Sequence, residues 1–247
     1  MRYIRLWWLL AIASLAPLTS GATVFASGAR QVSLIELYTS EGCSSCPPAD
    51  RWLSRLKQDP GLWRDFVPVA FHVDYWDSLG WKDRFAADGW SARQRRYAAD
   101  GGISTVYTPG LLLNGKDWRR WGGDARPGLG APAGALRAEL SGDELVVSFA
   151  ANVIAGQQMI VNVALLGTGL SSTVKAGENR GVTLDHDFVV LGLARQPLAG
   201  ATGAYTGTVR IPSSPIRAPR RALAIWVSSG DSQAPLQAAG GWLAAAD

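Results

Sequence analysis

Apolar positions along the chain keep two rhythms. Between about residues 31 and 140, short unbroken apolar runs alternate with stretches where apolar residues return every three or four places. "VSLIELYT" (32–39) reads as a buried strand, and "PADRWLSRLKQ" (48–58) as a helix with Trp52, Leu53 and Leu56 on one face. "DFVPVAFHVDYW" (65–76) is a second strand. "DRFAADGWSARQRRYAAD" (83–100) predicts a second helix carrying Phe85, Trp90 and Tyr97. "PGLLLNGK" and "DWRRWGG" (109–123) predict a hairpin closed by Asn114-Gly115, and "APAGALRAEL" (131–140) a closing helix. From about residue 141 the rhythm changes. "DELVVSFAAN", "MIVNVALLG", "HDFVVLGLA", "AYTGTVRI" and "RALAIWVSS" are strand-like runs separated by Gly-, Asn- and Ser-rich turns, with no helix expected before the tail. The pattern predicts an α/β unit over 30–140 and a smaller all-β, sandwich-like domain over 141–247.

The N-terminus obeys neither rhythm. Arg2 and Arg5 precede the apolar "LWWLLAIASLAPL", and Val24 and Ala26 suit the small-residue positions of a cleavage site. Residues 1–26 therefore read as a signal peptide. The apolar run is short for a membrane span, which needs roughly 20 residues, and Pro17 interrupts it. The expectation is a periplasmic or secreted protein without stable membrane insertion after cleavage, in a compartment where disulfides persist.

Composition narrows the function classes. The formal net charge of +4 includes Arg2 and Arg5, and no later basic block stands out, so nucleic acid is not an expected partner. "RQRR" at 93–96 reads as the solvated face of a helix. With 47% hydrophobic residues, the cores do not need a covalent staple.

That last point bears on the only two cysteines, Cys43 and Cys46 in "EGCSSCPPAD". A disulfide closing about four residues removes roughly 2 kcal/mol of unfolded-state entropy, against nearly 5 for a loop of about 100 residues. A structural staple is thus a poor use of the pair. A copper or zinc site would need His72 and His186 as well, and their spacing carries no second metal motif, so no metal or other cofactor is expected. Redox chemistry suits the placement better. In strand, turn, Cys-x-x-Cys, helix, the helix N-terminus stabilises a thiolate. Cys43 would be the exposed nucleophile and Cys46 the inward, resolving thiol. Pro47 and Pro48 fall in the first turn, where a missing N–H costs nothing.

This arrangement predicts a thioredoxin-like domain, with a proline facing the dithiol through a cis bond. Thr108-Pro109 supplies it, and the Thr108 backbone would bind an extended substrate. Asp74, Tyr75, Trp76, Asp77 and Trp81, beyond the second strand, would wall the site. Glu36, in an apolar run seven residues before Cys43, is a candidate proton shuttle or an edge residue reaching solvent. The segment 77–107 reads as an enlarged helical cap. "GENRG" (177–181) reads as a hairpin turn or a contact loop against the first domain.

"LYTSEGCSSCPPAD", "FHVDYWDSLGWKDRF", "RQRRYA", "YTP" and "GENRG" together resemble the secreted bacterial family catalogued as domain of unknown function 1223. The likeness runs from about residue 31 to 225. It implies a thioredoxin-like fold with an added β-rich region, and the Pro47-Pro48 pair belongs to its pattern. Gly110 departs from it, since a glutamine often follows the Thr-Pro. The resemblance supplies no activity. The residues themselves suggest a thiol–disulfide oxidoreductase acting on protein dithiols or disulfides, or serving a redox partner protein. The alternative is a redox-inert or metal-binding protein.

Overall fold

A computed structural model describes residues 22–151, 157–230 and 232–244. Its strands are β1 (Thr23–Ala26), β2 (Ser33–Thr39), β3 (Phe66–His72), β4 (Gly110–Leu113), β5 (Lys116–Asp117), β6 (Gly134–Ser141) and β7 (Glu144–Ala151). Then follow β8 (Met159–Thr168), β9 (Leu170–Thr173), β10 (Thr183–His186), β11 (Val189–Ala201), β12 (Ala204–Arg210), β13 (Arg220–Ser229) and β14 (Pro235–Trp242). The helices are α1 (Pro47–Arg55), between β2 and β3, and α2 (Asp88–Ala99), between β3 and β4.

The fold class differs from the expected thioredoxin-like α/β domain with a separate smaller sandwich. The described residues are mostly β, and among them one mixed sheet of twelve strands takes in both halves, beside a two-stranded sheet of β9 and β10. Its main path runs β1-β6-β7-β12-β11-β3-β2-β4-β5, with β8, β13 and β14 branching from β11. The long β11 is the physical cause. It pairs with β8 along most of its length and with β12 at its far end, while Val189 meets Ala70 of β3 in parallel. The main core is shared accordingly, joining Leu34, Ile35, Leu37 and Phe71 to Ala164, Val190 and Trp226.

Locally, several expected elements are present. β2 and β3 are parallel, in register from Ser33↔Phe66 to Thr39↔His72, and β4 runs antiparallel to β2. All seven residues of β2 are buried, as a continuous apolar run requires of a central strand. Asn114 (φ 52°) and Gly115 (φ 80°) form the hairpin turn.

The helix expected at 131–140 is instead β6. Ala, Leu and Glu favour helix, but here the period is two. Leu136 and Ala138 are buried while Arg137 and Glu139 are exposed, and burial of that face outweighs propensity. The tail is the strand β14, antiparallel to β13. Residue 140 therefore lies inside a hairpin, β6–β7, and not in a linker. Most of the proposed signal segment falls outside the described residues. Its end, 23–26, is an edge strand paired with β6, with Phe25 buried. Among the described residues, no helix is long and apolar enough to cross a membrane.

Candidate functional site

Parallel β2 and β3 bring their carboxyl ends to one edge. There the chain turns through Cys43 N–H to Ser40 O (3.2 Å) and Cys46 N–H to Cys43 O (3.2 Å), then enters α1 at Pro47. Cys43 and Cys46 form a disulfide, their Cα atoms 5.5 Å apart. The turn is tight around Gly42, where a Cβ would stand 2.9 Å from Trp76 Cβ. The Trp76 indole N–H in turn donates to Thr108 Oγ1 (2.8 Å). Trp76 thus bridges the disulfide loop to Thr108-Pro109, whose peptide bond is cis. Gly110, the next residue, pairs with Tyr38 on β2.

Both cysteines are 0% exposed, although Ser44 and Ser45 between them are open to solvent. The expected exposed Cys43 is therefore corrected. Its cover is the 174–182 loop joining β9 to β10, which contains "GENRG". Asn179 Nδ2 donates to the carbonyls of Glu41 (2.9 Å) and Cys43 (3.0 Å), and Glu178 Oε2 accepts the Ser44 N–H (3.0 Å). The segment is a hairpin connection and a contact loop at once.

Behind the disulfide lies a group of buried titratable side chains. His72 Nδ1 is 2.7 Å from Asp83 Oδ2, which also accepts the Glu41 backbone N–H (2.9 Å). Glu41 Oε2 accepts from the Trp81 indole (2.8 Å), and Glu41 Oε1 is 3.2 Å from His186 Nε2. That last contact is close, but neither atom meets the geometry of a hydrogen bond. Thr39 Oγ1 donates to Asp50 Oδ2 (3.0 Å) on α1. Each environment sets its group's charge. Burial pushes Asp50 up, only partly offset by the two imidazoles and Thr39. Burial, the largest influence, would also raise Glu41 and Asp83, but it is outweighed at Glu41 by His186, Ser172 and Trp81 together, and at Asp83 by His72 with the Glu41 and Phe85 amides, so both lie below the usual carboxylate range. Burial would lower His72, but Asp83 outweighs it and raises it.

Other expected site residues serve different ends. Glu36 does not reach solvent, and its hydrogen bonds lie on the α2 side of the sheet. Its carboxylate accepts from Arg93 Nε (2.9 Å), Tyr97 OH (2.6 Å) and Tyr38 OH (3.2 Å), and is fully buried. Alternation along β2 places it toward α2, whereas Thr39 reaches Asp50 on α1. Of "RQRR", Arg93 and Gln94 are buried and only Arg95 and Arg96 face solvent. Tyr75 OH donates to Gln94 Oε1 (3.1 Å), Asp74 accepts from Ser91 Oγ, and Asp77 accepts the Asp83 N–H (3.2 Å). Tyr75 and Asp74 therefore tie the strand end to α2.

The two histidines, distant in sequence, meet edge to face with ring centroids 4.8 Å apart. Even so, among the described residues no group of three or more His, Cys, Asp or Glu is disposed to hold a metal ion. Sequence reasoning missed Asp50 and the joining of Glu41 and Asp83 to His72 and His186, and it marked "GENRG" as a possible contact loop without singling out Glu178 or Asn179. Asp50 carried a usable signal, lying four residues after Cys46 and so on the same helix face.

Residues 34–228 match the family described as Protein of unknown function (DUF1223). Among solved structures, the chain is similar to protein AGR_C_4864 from Agrobacterium tumefaciens, with 24% identity and a TM-score of 0.58 over 88% of this chain and 96% of that one. It is also similar to HBP35 of Porphyromonas gingivalis, with 15% identity and a TM-score of 0.54 over 88% of this chain and 76% of that one. At such identities the likeness concerns the fold alone. No curated protein matches the chain.

Proposed function

We propose, for a chain that belongs to the DUF1223 family, that the Cys43–Cys46 disulfide is redox-active and exchanges with cysteines of partner proteins outside the cytoplasm. The observation that carries this reading is the disulfide's place, between residues three apart in sequence at the N-terminus of α1. A twelve-stranded sheet holds the fold, and so short a covalent loop adds only about 2 kcal/mol to it. The dipole at the N-terminus of α1 favours a thiolate there, although Pro47 and Pro48 carry no N–H and the Ala49 and Asp50 amides bond Cys46 O.

The chemistry runs in either direction. A partner thiolate attacks Cys43 Sγ, the Cys43–Cys46 bond opens, and Cys46 leaves as a thiolate that takes a proton. The partner's second thiolate then attacks its own sulfur in the mixed disulfide. It releases the Cys43 thiolate and leaves the partner oxidised. The reverse sequence reduces a partner disulfide. Asp50, buried one helical turn from Cys46, is the group suited to give or take the Cys46 proton. The segment around Thr108-Pro109, half-exposed beside Trp76, is the surface against which a partner strand would lie.

A second reading is favoured by the burial of both cysteines: a permanently oxidised pair in a binding protein. Trapping separates the two. With Cys46→Ser, Cys43 should accumulate mixed disulfides with exported proteins, and Cys43→Ser should accumulate few. If neither variant traps partners and the native disulfide resists glutathione, the second reading stands.

A further inference from the structure

The 174–182 loop is held on the disulfide by contacts of unequal strength. Asn179 is buried and bonds two carbonyls, while the root of the hairpin is fixed where His186 meets Glu41. Within the loop, Val174 N–H to Val182 O (2.9 Å) and Gly181 N–H to Val174 O (2.8 Å) keep its shape. Gly177 (φ 74°) carries it past Trp81. Glu178 differs from these. Its side chain is solvated and anchored at Ser44, chiefly on the backbone amide next to Cys43 and also by the serine side chain. The Ser44 amide, with the Ser44 side chain, holds the Glu178 carboxyl below its ordinary range.

In the oxidised protein the sulfurs carry no charge, and the carboxylate occupies the Ser44 donor unopposed. Reduction changes this. A dithiol such as dithiothreitol forms its own disulfide as the Cys43–Cys46 bond opens, and two electrons and two protons pass to the protein sulfurs. Cys43 then releases its proton to solvent, with the helix N-terminus and Ser45 Oγ, 3.3 Å from its sulfur, as neighbours.

We propose that the 174–182 loop is a redox-governed latch, closed over the oxidised pair and loosened when Cys43 becomes a thiolate whose charge opposes the Glu178 carboxylate at the Ser44 amide. This rests on the reading of the disulfide as redox-active. Two like charges a few ångströms apart at a wetted site shift an equilibrium by roughly five- to tenfold. By reciprocity, the closed latch disfavours the thiolate by the same factor, raising its pKa by up to about one unit. The bias has a functional direction. The open site belongs to the reduced protein, so disulfide-bearing partners meet it readily, while the oxidised product is covered against re-reduction by passing thiols.

The test is amide hydrogen exchange of the full chain, oxidised and dithiothreitol-reduced at about pH 8, with thiols counted in parallel. Residues 174–182 should exchange roughly five- to tenfold faster after reduction, and Glu178→Gln should shrink that difference. In a Cys46→Ser background, pH-dependent alkylation of Cys43 should show its pKa falling by up to about one unit with Glu178→Gln. If thiols appear but loop exchange does not change, or the pKa does not move, the latch is wrong and the redox reading survives. If no thiols appear in the native protein, the redox reading fails and takes the latch with it.

Discussion

Replacing Glu36 by glutamine separates two roles for a buried carboxylate. Arg93 has 5% of its side chain exposed, with Nε 2.9 Å from Glu36 Oε2. Its guanidinium also lies over the rings of Phe71 (5.2 Å), Trp226 (5.3 Å) and Tyr97 (5.4 Å). It cannot shed its charge, so glutamine leaves a cation buried without a counter-charge. Breaking such a pair costs about 3–5 kcal/mol. At about 2–4 °C per kcal/mol for a chain of this size, the melting temperature should fall by roughly 6–20 °C. Thermal unfolding by circular dichroism measures that. The disulfide-exchange rate is measured in parallel, well below both transitions. The ion-pair role predicts a large loss of stability with exchange close to wild type, and partial recovery when Arg93→Met is added. An unshifted melting curve with strongly slowed exchange would mean that Glu36 handles protons after all.

Three further outcomes follow from particular contacts. The raised pKa of His72 stabilises the fold fully below about pH 6.5, and that contribution is lost as pH rises through the folded value. The depressed Asp83 contributes above about pH 3.9, and its share is lost as pH falls through its lowered value. Melting curves from pH 5 to 9 should therefore show wild type declining and His72→Gln nearly flat; a flat wild type would contradict the pair. Gly42→Ala places a Cβ 2.9 Å from Trp76 Cβ, so overpacking should cost about 1–3 kcal/mol in urea unfolding, whereas Gly28→Ala, in open space, should cost little. Because β1 pairs with β6 and buries Phe25, exported protein should begin at or before Thr23. Mass spectrometry finding Ser27 as the N-terminus would show the strand to be dispensable.

The edge that carries the disulfide is legible in the sequence because its signals are local. The β2 run, the Cys-x-x-Cys, the Pro-Pro helix start and the Asn114-Gly115 turn each specify geometry within a few residues. The union of the two halves is not legible, because β11 reads as one strand whichever sheet it joins. β6 misleads for a different reason: a helix-favouring composition hides its two-residue alternation. The same limit governs the site. The Cys43 carbonyl is bonded by Asn179, 136 residues on, and His72 meets His186 from another strand. Pairings at that range leave no trace in spacing.

The most direct test of a redox-active Cys43–Cys46 pair is its reduction potential in the native protein, equilibrated with glutathione buffers and read by thiol alkylation. A pair that exchanges with partner proteins should titrate reversibly within the span of known protein oxidoreductases, about −120 to −270 mV. A value below about −300 mV, or no equilibration short of unfolding, would mark the disulfide as structural.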